Sequence, residues 1–370
     1  MGSESTITSL EAPGLDGNAH LRPLRINLQA VTDSNVRDGV TSPVYLDHHA
    51  STPMDPRVLA IMVAALEETF GNSNSADHSF GAAAAGAIEA SRARVAALVG
   101  SPEEDVRFTS GATEALRLVL GFEMASRPGP FKVAASRIEH PAVVDLLEAA
   151  ERAGYVQVEW IGCNSSGVVT LRAIDDALSR GPSLLWLMAA NNEVGTLQPV
   201  QEAASRAHQA GVTIAVDATQ AAGRIPLQAT EWAVDYLALS AHKIYGPKGV
   251  GALVGPGLAA MRSPFVLEAH SPTPNAPAIA GFGEACRLRN LEMVADEVRI
   301  SELRNRLEGQ LLATTDDLVV NGDRNNRLAG NLHISARDAP NDMVVAQLRN
   351  TVAISTGAAC ASGAGAPGAG

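Results

Sequence analysis

Short runs of apolar residues recur along the chain, each closed by a polar cluster and followed by a stretch with helical spacing. Val44-Tyr45-Leu46 is the first; Val106–Phe108, Lys132–Ala135, Val156–Ile161, Leu184–Met188, Val212–Val216 and Tyr236–Leu239 follow. The spacing predicts helices over Arg57–Phe70 behind Asp55-Pro56, over Ala82–Val99 ahead of Gly100, and over Ala142–Ala153 and Leu171–Leu178. Proline in a first turn and glycine past a last turn are the punctuation such helices carry. Strands alternating with helices imply βαβ units and a mostly parallel sheet. After about residue 290 the pattern changes. A helix over Met293–Leu312 precedes three strand-like stretches, Leu318–Val320, Asn331–Ile334 and Val352–Ile354. This predicts a large α/β unit over residues 43–290 and a smaller C-terminal α+β unit with antiparallel strands over 291–370.

Residues 1–42 contain no apolar stretch of the secretory type, and their acidic residues weaken a transit-peptide reading, so a solvated extension is expected. The 370 residues are 46% hydrophobic, enough for a large core. A net charge of −12 argues against a nucleic-acid groove. No apolar run approaches the roughly 20 residues that span a bilayer, so no membrane association is expected. Three cysteines, Cys163, Cys286 and Cys360, are too few for a disulfide framework and fit a reducing, cytoplasmic setting. No metal site is expected.

In parallel sheets chemistry collects beyond the carboxyl ends of the strands, where the polar clusters fall. Lys243 follows an apolar strand and precedes the turn Gly246-Pro247-Lys248-Gly249. A lone lysine there is more often a surface residue, but amine catalysis needs one held at a strand end and partly desolvated. Asp217 ends another strand. It could merely cap a turn, yet a pyridoxal-phosphate site needs an acid that keeps the pyridinium nitrogen protonated, and Asp217 suits that need. Gln220 could donate to the ring's phenolic oxygen. Ser110-Gly111-Ala112-Thr113-Glu114 is a small-residue turn entering a helix, whose N-terminal amides and dipole favour a phosphate. Thr113, Ser240 and His242 could add phosphate contacts. His140 could stack on the pyridine ring, though a single histidine is more often structural. Cys360 lies in Ser355-Thr356-Gly357-Ala358-Ala359-Cys360-Ala361-Ser362-Gly363, a small-residue stretch that suits a thiolate on a moving loop better than a buried thiol.

In this order the segments VYLDHHASTPMDP, FTSGATEA, EHPAV, NNEVGTLQPV, VDATQAAGRIPL, LSAHKIYGPKGVGAL and STGAACASG resemble the cysteine desulfurase family of class V aminotransferases, from Val44 to about Ser362. The resemblance implies a fold-type I pyridoxal-phosphate transferase: a large domain with a mostly parallel sheet flanked by helices, plus a smaller, shortened C-terminal domain. It implies that Lys243 is the Schiff-base lysine, Asp217 the pyridinium partner and His140 the stacking base. Asn192 and Gln220 would bond cofactor or substrate. Gly111, Ala112, Thr113, Ser240 and His242 would hold the phosphate. Thr273 would reach the phosphate of a partner subunit in a homodimer. Cys360 would take sulfur from L-cysteine, release alanine and pass the persulfide to an acceptor protein, as in iron–sulfur cluster assembly. Cys163 and Cys286 match no motif and read as structural. Two departures stand out. The Gly-rich stretch ending in Arg-Ser-Gly-Thr is replaced by Leu267–Asn275, and no arginine follows Arg349 to clamp a substrate carboxylate. A desulfurase-fold partner protein without turnover, and a lyase for selenocysteine or another cysteine derivative, remain as alternatives.

Overall fold

The structure is a computed structural model describing residues 36–37, 40–41, 43–258 and 273–357. A seven-stranded sheet forms its centre, built from β4 (Val106–Thr109), β5 (Phe131–Ser136), β6 (Val156–Ile161), β7 (Leu184–Met188), β8 (Thr213–Asp217), β9 (Tyr236–Ser240) and β10 (Gly251–Val254). Their spatial order is β4-β10-β9-β8-β7-β5-β6. Only β10 runs against its neighbours, pairing antiparallel with both β4 and β9.

Both faces of this sheet are dry, which is why its strands read as unbroken apolar runs. Along β7, Leu184 and Trp186 join one core cluster while Leu185 and Leu187 join the other. The first cluster is covered by α3 (Ala112–Ala125) and α4 (Pro141–Arg152), through Leu116, Val119, Val143 and Leu147. The second lies under α2 (Ser79–Val99), α5 (Leu171–Leu178), α6 (Val200–Gln209) and the first turns of α7 (Ala276–Leu312). Helix α1 (Pro56–Glu68) packs against α7.

Several elements differ from expectation. The helix expected from Met293 begins at Ala276, where Asn275 Oδ1 caps the Ala278 amide at 3.1 Å. Glycines obscured its start, and they are there for packing. A Cβ on Gly281 would lie 2.6 Å from Met62 Cγ, and one on Gly283 2.6 Å from the Ser91 Cβ, so α1 and α2 approach α7 at these points. The strand expected at Asn331–Ile334 is displaced to β12 (Ile334–Ala336), antiparallel to β11 (Leu318–Val320). Asn331 instead pins a loop, its Nδ2 donating to the Glu193 carbonyl at 2.8 Å. The third expected antiparallel strand, β13 (Val352–Ala353), pairs parallel with β3 (Val44–Tyr45). That pairing brings the segment leading to Cys360 beside Asp47, to which Ser355 Oγ donates at 3.1 Å. Helix α8 (Asn341–Leu348) was not foreseen. Within the N-terminal extension, β1 (Val36–Arg37) and β2 (Val40–Thr41) make a two-residue antiparallel pair; residues 1–35 lie outside the described residues. Among the described residues no helix is long and apolar enough to cross a membrane.

Candidate active site

Five parallel strands deliver polar groups to one edge of the sheet. Asp217 is the last residue of β8, 5% exposed, and its Oδ1 accepts the Thr219 amide at 2.9 Å. Beyond β9, one 3-10 turn (Ala241–Lys243) carries His242 and Lys243, with buried Ser240 preceding it. Lys243 Nζ donates to the carbonyls of His49 and, at 2.8 Å, Ala50. Beyond β5, His140 caps α4, its Nδ1 accepting the Ala142 amide at 3.0 Å. Since an amide can only donate, the neutral ring carries its proton on Nε2. Burial lowers the His140 pKa; the Asp217 charge partly restores it and the Lys243 charge lowers it again. His140, Asp217 and Lys243 are therefore close enough to feel one another.

The start of α3 is open and suits an anion, a candidate phosphate cradle. The N-cap is Gly111, at φ 150°, with no side chain to cover the first-turn amides of Ala112 and Thr113. Ser240 Oγ faces it, 4.0 Å from where a Gly111 Cβ would sit. Behind it passes Gly251, whose Cβ would fall 2.8 Å from Gly111 Cα and 2.3 Å from the Leu239 carbonyl. Glycine at 251 thus lets β10 pass close behind the start of α3. His242 Nδ1 lies 3.2 Å from Ser51 Oγ. Burial and the charges of Lys243 and Lys248 push its pKa down to about 4, so it is neutral at pH 7 and offers a hydrogen bond rather than a charge. Taken together, a buried acid, an amine, an uncapped helix start and a neutral imidazole are the kinds of group that the pyridine nitrogen, aldehyde, phosphate and ring face of pyridoxal phosphate would require.

Gln220 is buried, and its Nε2 donates to the His49 carbonyl at 2.9 Å. Asn192 is half-buried on the loop after β7. Neighbouring Asn191 fastens that loop beside His140: its Nδ2 donates to the Ile138 carbonyl at 3.0 Å and its Oδ1 takes the Glu193 and Val194 amides at 2.9 Å each. Thr273 is exposed at the entry to α7. Cys360 lies outside the described residues. Of the other cysteines, Cys163 is exposed, and Cys286 is buried with its thiol pKa pushed up by that burial.

Three residues around the site had no role assigned from the sequence, although the Asp47-His48-His49 and Glu139-His140 clusters fall beyond strand ends. Arg224 ties the Asp47–Ser51 loop to the lysine turn: its Nη1 lies 3.3 Å from His49 Nε2, and its Nη2 donates to the His48 and Lys243 carbonyls at 3.1 and 3.3 Å. Its position four residues after Gln220, one helical turn on, was the available signal. His49 is held neutral by burial and by the charges of Arg224 and Lys243. Glu139, beside His140, is buried. Its Oε1 accepts from Ser136 Oγ at 2.6 Å and the Met188 amide at 2.7 Å, while its Oε2 has no partner. Burial, together with repulsion from Asp217, raises its pKa to about 8.

The pattern of the family described as Aminotransferase class-V matches residues 44–367. The chain is 38% identical over 328 residues to the cysteine desulfurase IscS of Anaeromyxobacter sp. (strain Fw109-5), covering 86% of this chain and 81% of that one. It is 34% identical over 336 residues to the cysteine desulfurase of Homo sapiens, covering 87% and 72%. Among solved structures, a NifS-like protein superposes with a TM-score of 0.78 at 28% identity, covering 84% of this chain and 87% of that one. A NifS-like protein from Rickettsia africae gives 0.76 at 27%, covering 85% and 87%. The chain belongs to the class V aminotransferase family, in its cysteine desulfurase branch.

Proposed function

We propose that this protein is a pyridoxal-phosphate-dependent cysteine desulfurase, converting L-cysteine to L-alanine with the sulfur left as a persulfide on Cys360. The observation that carries this reading is the convergence of Lys243, Asp217, His140 and the open α3 cradle on one edge of the sheet. When bound, the cofactor supplies an electron sink for charge developing at the substrate Cα. Asp217 holds the pyridine nitrogen protonated. Ala112 and Thr113 amides, with Ser240 and His242, hold the phosphate. His140 covers the ring face and presents Nε2–H. Gln220 and Asn192 orient ring and substrate. Lys243 would hold the cofactor covalently, and its amine would move the substrate's Cα proton. The Cys360 thiolate attacks the substrate sulfur. A sulfur–sulfur bond forms, the carbon–sulfur bond breaks with its electron pair going to carbon, and protonation there completes alanine. Residues 43–290 form the cofactor unit, and 291–370 the unit bearing Cys360.

The working form is a homodimer. Leu59, Val63, Leu66 and Phe70 make one exposed stripe along α1 and its end, and Leu291, Val294 and Val298 another on adjacent α7. Continuous apolar surface of this kind marks an association face. Thr273 then serves the partner's phosphate site. The persulfide passes to an acceptor protein in the cytoplasm. Purified protein should show cofactor absorbance that shifts with L-cysteine and should release sulfide under reductant. A protein that stays colourless after reconstitution, or whose absorbance survives Lys243→Ala unchanged, refutes this reading.

A further inference from the structure

Away from the sheet edge, a cleft of about 520 Å³ opens between the last turns of α7 and the loop joining β11 to β12. Its walls are Arg304, Asn305, Glu308, Arg324, Asn325 and Arg327. Three guanidinium groups meet a single carboxylate, so the cleft is two positive charges in excess, in a chain whose net charge is −12. Glu308 is already shared: Oε1 takes Arg324 Nη2 and Oε2 takes Arg327 Nη2. Burial pushes the Glu308 carboxyl up, but the hydrogen bonds and charges of these arginines outweigh it and leave the pKa below its usual range. Arg327 makes that single side-chain hydrogen bond to Glu308, at Nη2. Its side chain is 2% exposed, and its Nε and Nη1 have no hydrogen-bond partner. A buried, under-satisfied cation is costly.

Arg327 is nonetheless firmly placed. Its backbone bridges to Thr196, the Leu328 amide donates to the Gly195 carbonyl at 2.9 Å, and the Leu197 amide donates to the Asn326 carbonyl at 3.0 Å. Arg304 is half-buried, its Nη1 on the Leu328 carbonyl at 3.2 Å, and burial and the Arg327 charge lower its pKa. Asp323, the nearest other acid on the loop, spends its Oδ1 on the Asn325 and Asn326 amides at 2.9 and 3.0 Å. Asn305 and Asn325 add neutral side-chain donors at the rim. Planar guanidinium forks with flanking amides recognise oxyanions. Every residue lining the cleft is polar or charged, unlike pockets for apolar ligands.

We infer that this cleft is a binding site for a phosphate group, carried by a small phosphorylated molecule or present as the free ion, separate from the cofactor's phosphate cradle. The site does not depend on the desulfurase reading. Calorimetric titration of the cofactor-loaded full chain with sodium phosphate at low ionic strength tests it. Phosphate should bind with a Kd of about 1 mM or tighter. Arg324 is 57% exposed, so Arg324→Ala should fold normally and weaken binding about tenfold. Glycerol 3-phosphate tells the source apart: tighter binding than inorganic phosphate assigns the site to an ester, and equal or weaker binding to the free ion. No binding by wild type at 10 mM phosphate (about ten times that Kd), or binding unaltered by Arg324→Ala, overturns the proposal.

Discussion

Replacing Glu139 by glutamine probes how a carboxyl can be kept neutral next to Asp217. Glu139 is 6% exposed, its Oε1 takes two hydrogen bonds, its Oε2 none, and its pKa is raised to about 8 from 4.5 by burial first, with Asp217 adding to it. In the folded protein it therefore holds its proton at pH 7, keeping a second negative charge away from Asp217, the acid proposed to pair with the cofactor nitrogen. Because the folded pKa is above the unfolded one, the folded state binds more protons between them. The associated stability is complete below about pH 4.5 and is lost as pH rises toward 8. Between pH 5 and pH 8 the unfolded chain gains several kcal/mol from ionising this group and the folded chain far less, so the wild type loses on the order of 3 kcal/mol of stability from Glu139 alone. Glutamine keeps the acceptor for Ser136 and Met188 but cannot ionise. Its amide nitrogen replaces an oxygen that already lacks a partner, which costs about 1–3 kcal/mol at every pH. Urea unfolding of both proteins at pH 5 and pH 8 separates the two effects. The difference in stability between Glu139→Gln and wild type should move in the variant's favour by on the order of 3 kcal/mol between the two pH values. A difference that stays constant to within about 1 kcal/mol would show that Glu139 is ionised in the fold and refute the reasoning.

The α1–α7 face should separate when charged: Leu66→Arg combined with Val294→Arg, both on exposed positions, should turn a sedimenting dimer into a folded monomer, and an unchanged dimer would place the interface elsewhere. Gly251→Ala should cost about 1–3 kcal/mol of stability and weaken pyridoxal phosphate binding, because its Cβ would press on the Leu239 carbonyl and on Gly111; unaltered cofactor affinity by fluorescence titration would exclude Gly251 as a wall of the cradle.

The sheet was legible because its central strands are buried on both faces, and uninterrupted runs such as Leu184–Met188 can hardly be read otherwise. The candidate site residues could be picked out because most lie at or just past a strand's end, where parallel sheets concentrate polar groups. What hid was long-range. The glycines of α7 look like helix breakers until Met62 and Ser91 are seen against them. Strand β13 is too short to announce that it runs parallel to a strand some 300 residues earlier. Arg224 reads as a surface arginine until its four contacts with Gln220, His48, His49 and Lys243 are drawn together. Glu139 reads as an ordinary acid because burial is not written in its neighbours.

The central claim is that Cys360 receives the sulfur. Cofactor-loaded protein should be incubated with one equivalent of L-cysteine, without reductant, and its cysteine peptides weighed by mass spectrometry. The mapping should place one added sulfur atom on the Cys360 peptide and none on that of exposed Cys163, with alanine formed in equal amount. Cys360→Ala should retain the cofactor's spectral response to cysteine yet form neither persulfide nor sulfide. Sulfide release by Cys360→Ala at the wild-type rate, or the added sulfur found on Cys163, would contradict the account.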